Sequence, residues 1–102
     1  MEMITNKEIA STIIAQIKNG DKWFLPAIGA TNFTTLPESK EYAGGVMFKC
    51  NGIKHKAFVK IELKWIDTYV ISFIKKNGDL IKLVEDVYSD ELIRILDYIE
   101  GK

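Results

Sequence analysis

The sequence predicts an α+β domain: an antiparallel β-meander of about four to five strands, with an N-terminal and a C-terminal helix packed on one face. Three observations predict it. From Lys54 to Trp65 the chain alternates, with Ala57, Val59, Ile61, Leu63 and Trp65 apolar and Lys54, Lys56, Lys60, Glu62 and Lys64 charged; Phe58 is the one break. Successive side chains on a strand point to opposite faces, so this stretch reads as a half-buried strand. Apolar stripes of helical period stand at both ends of the chain, Ile9, Ile13 and Ile17 at one and Leu92, Ile93, Leu96 and Ile99 at the other. Turn signals, Asn51-Gly52 and Lys76-Asn77-Gly78-Asp79, separate the β-rich runs between them.

Taken in order, Thr5 or Asn6 is the expected N-cap of the first helix, with Glu8 suited to its first turn and Asn19-Gly20 ending it. Trp23-Phe24-Leu25-Pro26 cannot be a central strand, because proline lacks the ladder donor, and residues 23–30 read as a short edge strand or extended arm. Residues 31–45 read as turns and loop, with room for a short strand at Asn32–Thr35. Val46, Phe48 and Cys50 form the inward set of a strand that Asn51-Gly52 joins by a tight hairpin to the alternating one. Tyr69–Ile74 is apolar on both parities, and Leu80–Val87 places Ile81, Leu83 and Val87 on one face, Lys82 and Asp86 on the other. Ser89 or Asp90 caps the closing helix, with Gly101 beyond its end. Residues 1–102 make one domain.

Composition excludes several function classes. At 102 residues, 47% apolar and 27% charged, the chain can build one core without a metal or disulfide. Net charge is zero, so no whole-molecule field draws nucleic acid or membrane. The charge is nevertheless segregated: residues 46–82 hold eight lysines against three acids, and residues 83–102 hold two basic residues against six acids. A single cysteine and a single histidine rule out the usual zinc sites and any internal disulfide. Neither a signal-type leader nor an apolar run of spanning length is visible, so a soluble cytoplasmic protein is expected, with no membrane partner.

Few residues suggest chemistry. Cys50 and His55 could be imagined as nucleophile and base, but Cys50 has the inward parity of its strand and no oxyanion-hole motif accompanies the pair. Asp67, with Glu85, Asp86 or Asp90, could make a paired-carboxylate site, although acids beside strand ends more often form turns and caps. Tyr88 and Tyr98 read as core-edge aromatics, and Gly44-Gly45 opens no helix and so makes no phosphate cradle. The lysine face is the most suggestive feature. Lys49, Lys54, Lys56, Lys60, Lys64 and Lys82 share the outward parity with Phe58 among them. Single-stranded nucleic acid is held by such surfaces through phosphate contact and base stacking. Lysines on an outer strand face equally serve to keep a sheet solvated and unpaired. Of these, Lys54, Lys56, Phe58, Lys60 and Lys64 are the candidate nucleic-acid-binding residues.

Gly29-Ala30-Thr31-Asn32-Phe33, Val59-Lys60-Ile61-Glu62-Leu63, Asp67-Thr68-Tyr69 with Phe73, and Val87-Tyr88-Ser89-Asp90-Glu91-Leu92 occur in that order. Together they resemble a family of small uncharacterised proteins encoded by bacteriophages and other bacterial mobile elements. The resemblance implies a bacterial cytoplasmic setting and carries no catalytic residues, cofactor or assigned chemistry. The expectation is a non-enzymatic binding module without cofactor or metal, its partner a host or phage protein or a single-stranded nucleic acid. The alternative is a structural homodimer, because the doubly apolar strand Tyr69–Ile74 leaves apolar surface that two helices on one face cannot cover.

Overall fold

The computed structural model describes residues 6–52 and 57–100. The first helix, α1, spans Asn6–Gly20 as its periodicity predicts and buries Ile9, Ile13 and Ile17. Thr5 and Gly101 lie outside the described residues. Strands β1 (Thr31–Leu36), β2 (Tyr42–Lys49), β3 (Phe58–Lys64), β4 (Tyr69–Ile74) and β5 (Leu80–Val87) follow as an antiparallel meander in sequence order. The chain closes with a 3-10 turn at Ser89–Glu91, a short helix at Leu92–Leu96 and a second 3-10 turn at Asp97–Glu100. A single α+β layer pair results, with both helical ends on the same side of one open sheet.

Parity along β3 decides which face is which. Val59 stands opposite Phe73 and Phe48, and Ile61 opposite Ile71 and Val46; all of these are buried against Ile13, Ile17, Leu92, Leu96 and Ile99. The alternating residues Phe58, Lys60, Glu62 and Lys64 point away from the helices, as the pattern requires. Tyr69 crosses from β4 to α1, its hydroxyl donating to Gln16 Oε1 at 2.7 Å. Burial raises the Tyr69 phenol above its ordinary pKa; the bond to Gln16 partly opposes this, and Asp67 adds to it.

Six local expectations need correction. Trp65 is 56% exposed, not buried, because β3 ends at Lys64 and Trp65 opens a turn, where strand parity no longer applies. Residues 23–30 fold as a short helix, α2 (Phe24–Ala27), rather than an arm. The Asp21 carboxylate accepts from the Trp23 N–H at 3.0 Å, and the resulting turn swings Phe24, Leu25 and Ile28 into the core. Gly44 and Gly45 lie inside β2 rather than in a loop, so that strand is longer than its apolar pattern suggested. Asn51-Gly52 does not close a two-residue hairpin. The Cys50 N–H bonds the Ala57 carbonyl at 2.8 Å, Asn51 bonds Ile28 at 2.7 Å, and Gly52 is buried against Ile99. The parity of β5 also breaks. Val84 pairs with Ile71 and Val87 with Tyr69, so a bulge at Asp86 (φ 56°) switches faces, leaving Leu83 and Ile81 exposed and Lys82 opposite Phe73.

The expected cap of the closing segment is displaced by one residue. Tyr88 occupies it, its N–H donating to Glu91 Oε1 at 3.2 Å while the Glu91 N–H bonds the Tyr88 carbonyl at 2.9 Å. These bonds, with Arg94 beside them, hold the Glu91 carboxyl below its usual pKa.

The turns β3–β4 and β4–β5 share one design. Lys64 N–H bonds the Thr68 carbonyl at 2.8 Å, and Lys75 N–H bonds Asp79 at 2.8 Å, each closing three residues whose last has positive φ: Asp67 at 67° and Gly78 at 97°. A Cβ built at Gly78 meets nothing within 4 Å, so Gly78→Ala isolates the cost of the left-handed backbone. We expect a loss of about 1–2 kcal/mol, read as a lower urea midpoint at unchanged m-value.

Candidate functional site: the uncovered sheet face

All three helices put their buried residues into the core on one side of the sheet. Among the described residues no helix lies over the other side. That outer face is laid out in rows across the strands. Met47, Lys60, Ser72 and Leu83 form the middle row, and Lys49, Phe58, Ile74 and Leu80 lie toward one end. Gly45, Glu62 and Val70 lie toward the other end, with Tyr42 and Lys64 paired beyond them. Leu80 is 56% and Leu83 47% exposed, while Val70 and Ser72, on β4, are buried. Thr68, on the same parity, is buried, and its hydroxyl makes no hydrogen bond.

The two ends of this face differ in charge. At the Tyr42 end a cavity of about 430 Å3 is lined by Glu41, Lys64, Trp65, Ile66 and Glu85. The indole N–H of Trp65 donates to the Ser39 carbonyl at 3.1 Å and so fixes the ring beside the cavity. Burial raises the Tyr42 phenol pKa, and the carboxylates of Glu62, Glu41 and Glu85 raise it further. At the opposite end a hollow of about 270 Å3 is lined by Lys49, Cys50, Asn51 and Lys76.

This layout redistributes the candidate residues. Phe58, Lys60 and Lys64 share the outer face, half-buried, as expected. Lys54 and Lys56 lie outside the described residues, as does His55. Lys60 Nζ is 3.6 Å from Glu62 Oε1, and Lys64 shares its cavity with Glu41 and Glu85. Lys82 has the parity of the core side, at the open edge of the sheet. Cys50 is buried, and Asp67 occupies an exposed turn. Among the described residues no three His, Cys, Asp or Glu side chains converge to hold a metal.

Glu41, Tyr42 and Ile66 were not singled out in the sequence, and Glu85 was named there only as a second acid for Asp67. Glu41 lies before β2 and Glu85 in the bulge of β5, and only the register of four strands, β2 to β5, brings them together. The one local signal was the apolar pair Trp65-Ile66 beside the Asp67 turn, which marks a loop tip that presents large side chains to solvent. No family model, curated protein or solved structure matches the chain. No described helix is long and apolar enough to cross a membrane.

Proposed function

We propose that the chain is a small non-enzymatic binding domain whose working surface is the outer sheet face, and that its partner there is protein rather than nucleic acid. One observation carries the reading: the helices cover one face only, and the other retains Met47, Phe58, Ile74, Leu80 and Leu83 at its surface. Apolar surface gathered on an open sheet gains free energy when a partner removes it from water, at about 25 cal/mol per Å2. Binding of single strands needs several lysines whose charge is available to phosphates. Here Lys60 lies beside Glu62, and Lys64 shares a cavity with Glu41 and Glu85, so acids accompany both lysines. A phage or mobile-element setting in a bacterial cytoplasm, with a host or phage protein as partner, is compatible with this reading.

Two measurements test it. Labelled single-stranded oligonucleotide titrated at low salt should show no saturable binding at micromolar protein, and Lys60→Glu should change nothing; tight binding with a steep salt dependence would reverse the choice of partner. A photo-cross-linking residue at position 83 should yield discrete protein adducts in the cells that carry the gene, and the same residue at Ala15, exposed on α1, should not. Absence of adducts at position 83 would remove the outer face as a working surface.

A further inference from the structure

We propose that the occupant of the outer face is a second copy of this chain, docked face to face about a two-fold axis that lies between the sheets and perpendicular to the strands. The inference rests on the reading of the outer face as the working surface and names its partner.

Charge complementarity selects both the partner and the orientation. Along β2 the face runs from Glu41 and Tyr42 at one end to Lys49 at the other, and along β5 from Glu85 to the Lys76 turn. A two-fold axis perpendicular to the strands keeps each strand over its own copy and reverses its direction. Lys49 then lies over the partner copy's Glu41 end of β2, and the Lys76 turn over the Glu85 end of β5. About the midpoint of β3, at Ile61, the same operation brings Lys60 of each copy to Glu62 of the other, converting a pair within one sheet into pairs between two. An axis parallel to the strands would instead set acids against acids and lysines against lysines. In the same register Met47, which shares the Lys60 row, lies over the partner copy's Gly45, and Leu83 lies within one row of the axis. A patch that is its own complement is what a two-fold interface requires.

The sheet edges argue against the other way of pairing two copies. β1 shifts register between Thr31 and Thr34, with Asn32 at φ 56°, and β5 shifts twice, once at Asp86. Bulges of this kind bend an edge away from a partner strand, so edge-to-edge extension is disfavoured while the flat of the sheet stays open. Two stacked sheets pack about 10 Å apart. Five strands at about 4.8 Å spacing and about 20–25 Å long make a face on the order of 500 Å2 in projection. Its corrugated accessible area approaches the roughly 800 Å2 per partner of a standard interface.

Sedimentation velocity across the micromolar range tests the arrangement with two charge-reversed proteins, Lys49→Glu/Lys76→Glu and Glu41→Lys/Glu85→Lys. The wild type should dimerise. Each variant alone should associate about 10- to 100-fold more weakly, since both contacts become like-charged. Their equimolar mixture should recover the dimer, because the two acidic ends of one variant then meet the two basic ends of the other. Circular dichroism and the thermal midpoint of each variant confirm that it is folded before mixing. A wild type that stays monomeric, or a mixture no tighter than its parts, overturns the proposal. The broader reading fails separately: adducts at position 83 of a mass other than twice the chain keep the outer face and discard the second copy, whereas absence of adducts discards both.

Discussion

Ile61→Ala should lower the free energy of unfolding by about 2–5 kcal/mol. The side chain is fully buried at the centre of β3, opposite Ile71 on one side and Val46 on the other, and faces the core shared with the helices. Truncation removes the transfer free energy of three carbons and leaves a cavity that two flanking strands cannot close, because their hydrogen bonds fix the spacing. Domains of this size have about 5–15 kcal/mol to lose, so the variant should unfold at a much lower urea concentration. The check is urea unfolding of both proteins at one matched protein concentration, since self-association would add to the stability of each. A change below about 1 kcal/mol would mean that β3 is not the centre of the core.

Gly45→Ala should be comparably damaging for a different reason. A Cβ at this position would lie 2.3 Å from the Ile61 carbonyl oxygen and 2.9 Å from the Glu62 Cα. Both are backbone atoms of the neighbouring strand, so no flexible side chain can yield. β2 must move away from β3, lengthening the ladder bonds on both sides of the substitution. Overpacking of well-filled sites costs about 1–3 kcal/mol, occasionally more, and a backbone clash belongs at the upper end. Amide hydrogen exchange distinguishes this from a uniform loss of stability: protection should fall first in β2 and β3, with β4 retaining more. Equal loss of protection across all strands would show that the substitution acts without separating this pair.

Much of the fold is legible from local pattern, since side-chain alternation and helical period report directly which residues avoid water. The α1 stripe, the inward set Ala57, Val59 and Ile61, and the Lys76–Asp79 turn each follow from a few neighbouring residues. Departures from the pattern arise where distant backbone sets the geometry. The bulge at Asp86 moves Leu83 to the outer face, the end of β3 releases Trp65 from strand parity, and Asn51 bonds Ile28 instead of closing a tight hairpin. None of these has a strong local signature, because each depends on register with a strand or helix far along the chain.

The same division holds for the surface. Lys60 and Lys64 could be assigned to the outer side of β3 from alternation alone, because parity is a property of a single strand. Their charge environment could not, because Glu41 and Glu85 come to line one cavity with Lys64 only through the pairing of β2 to β5 and the bulge in β5. A run of lysines in the chain thus becomes a face with an acidic end and a basic end. Strand pairing sums charges across segments that alternation treats one at a time.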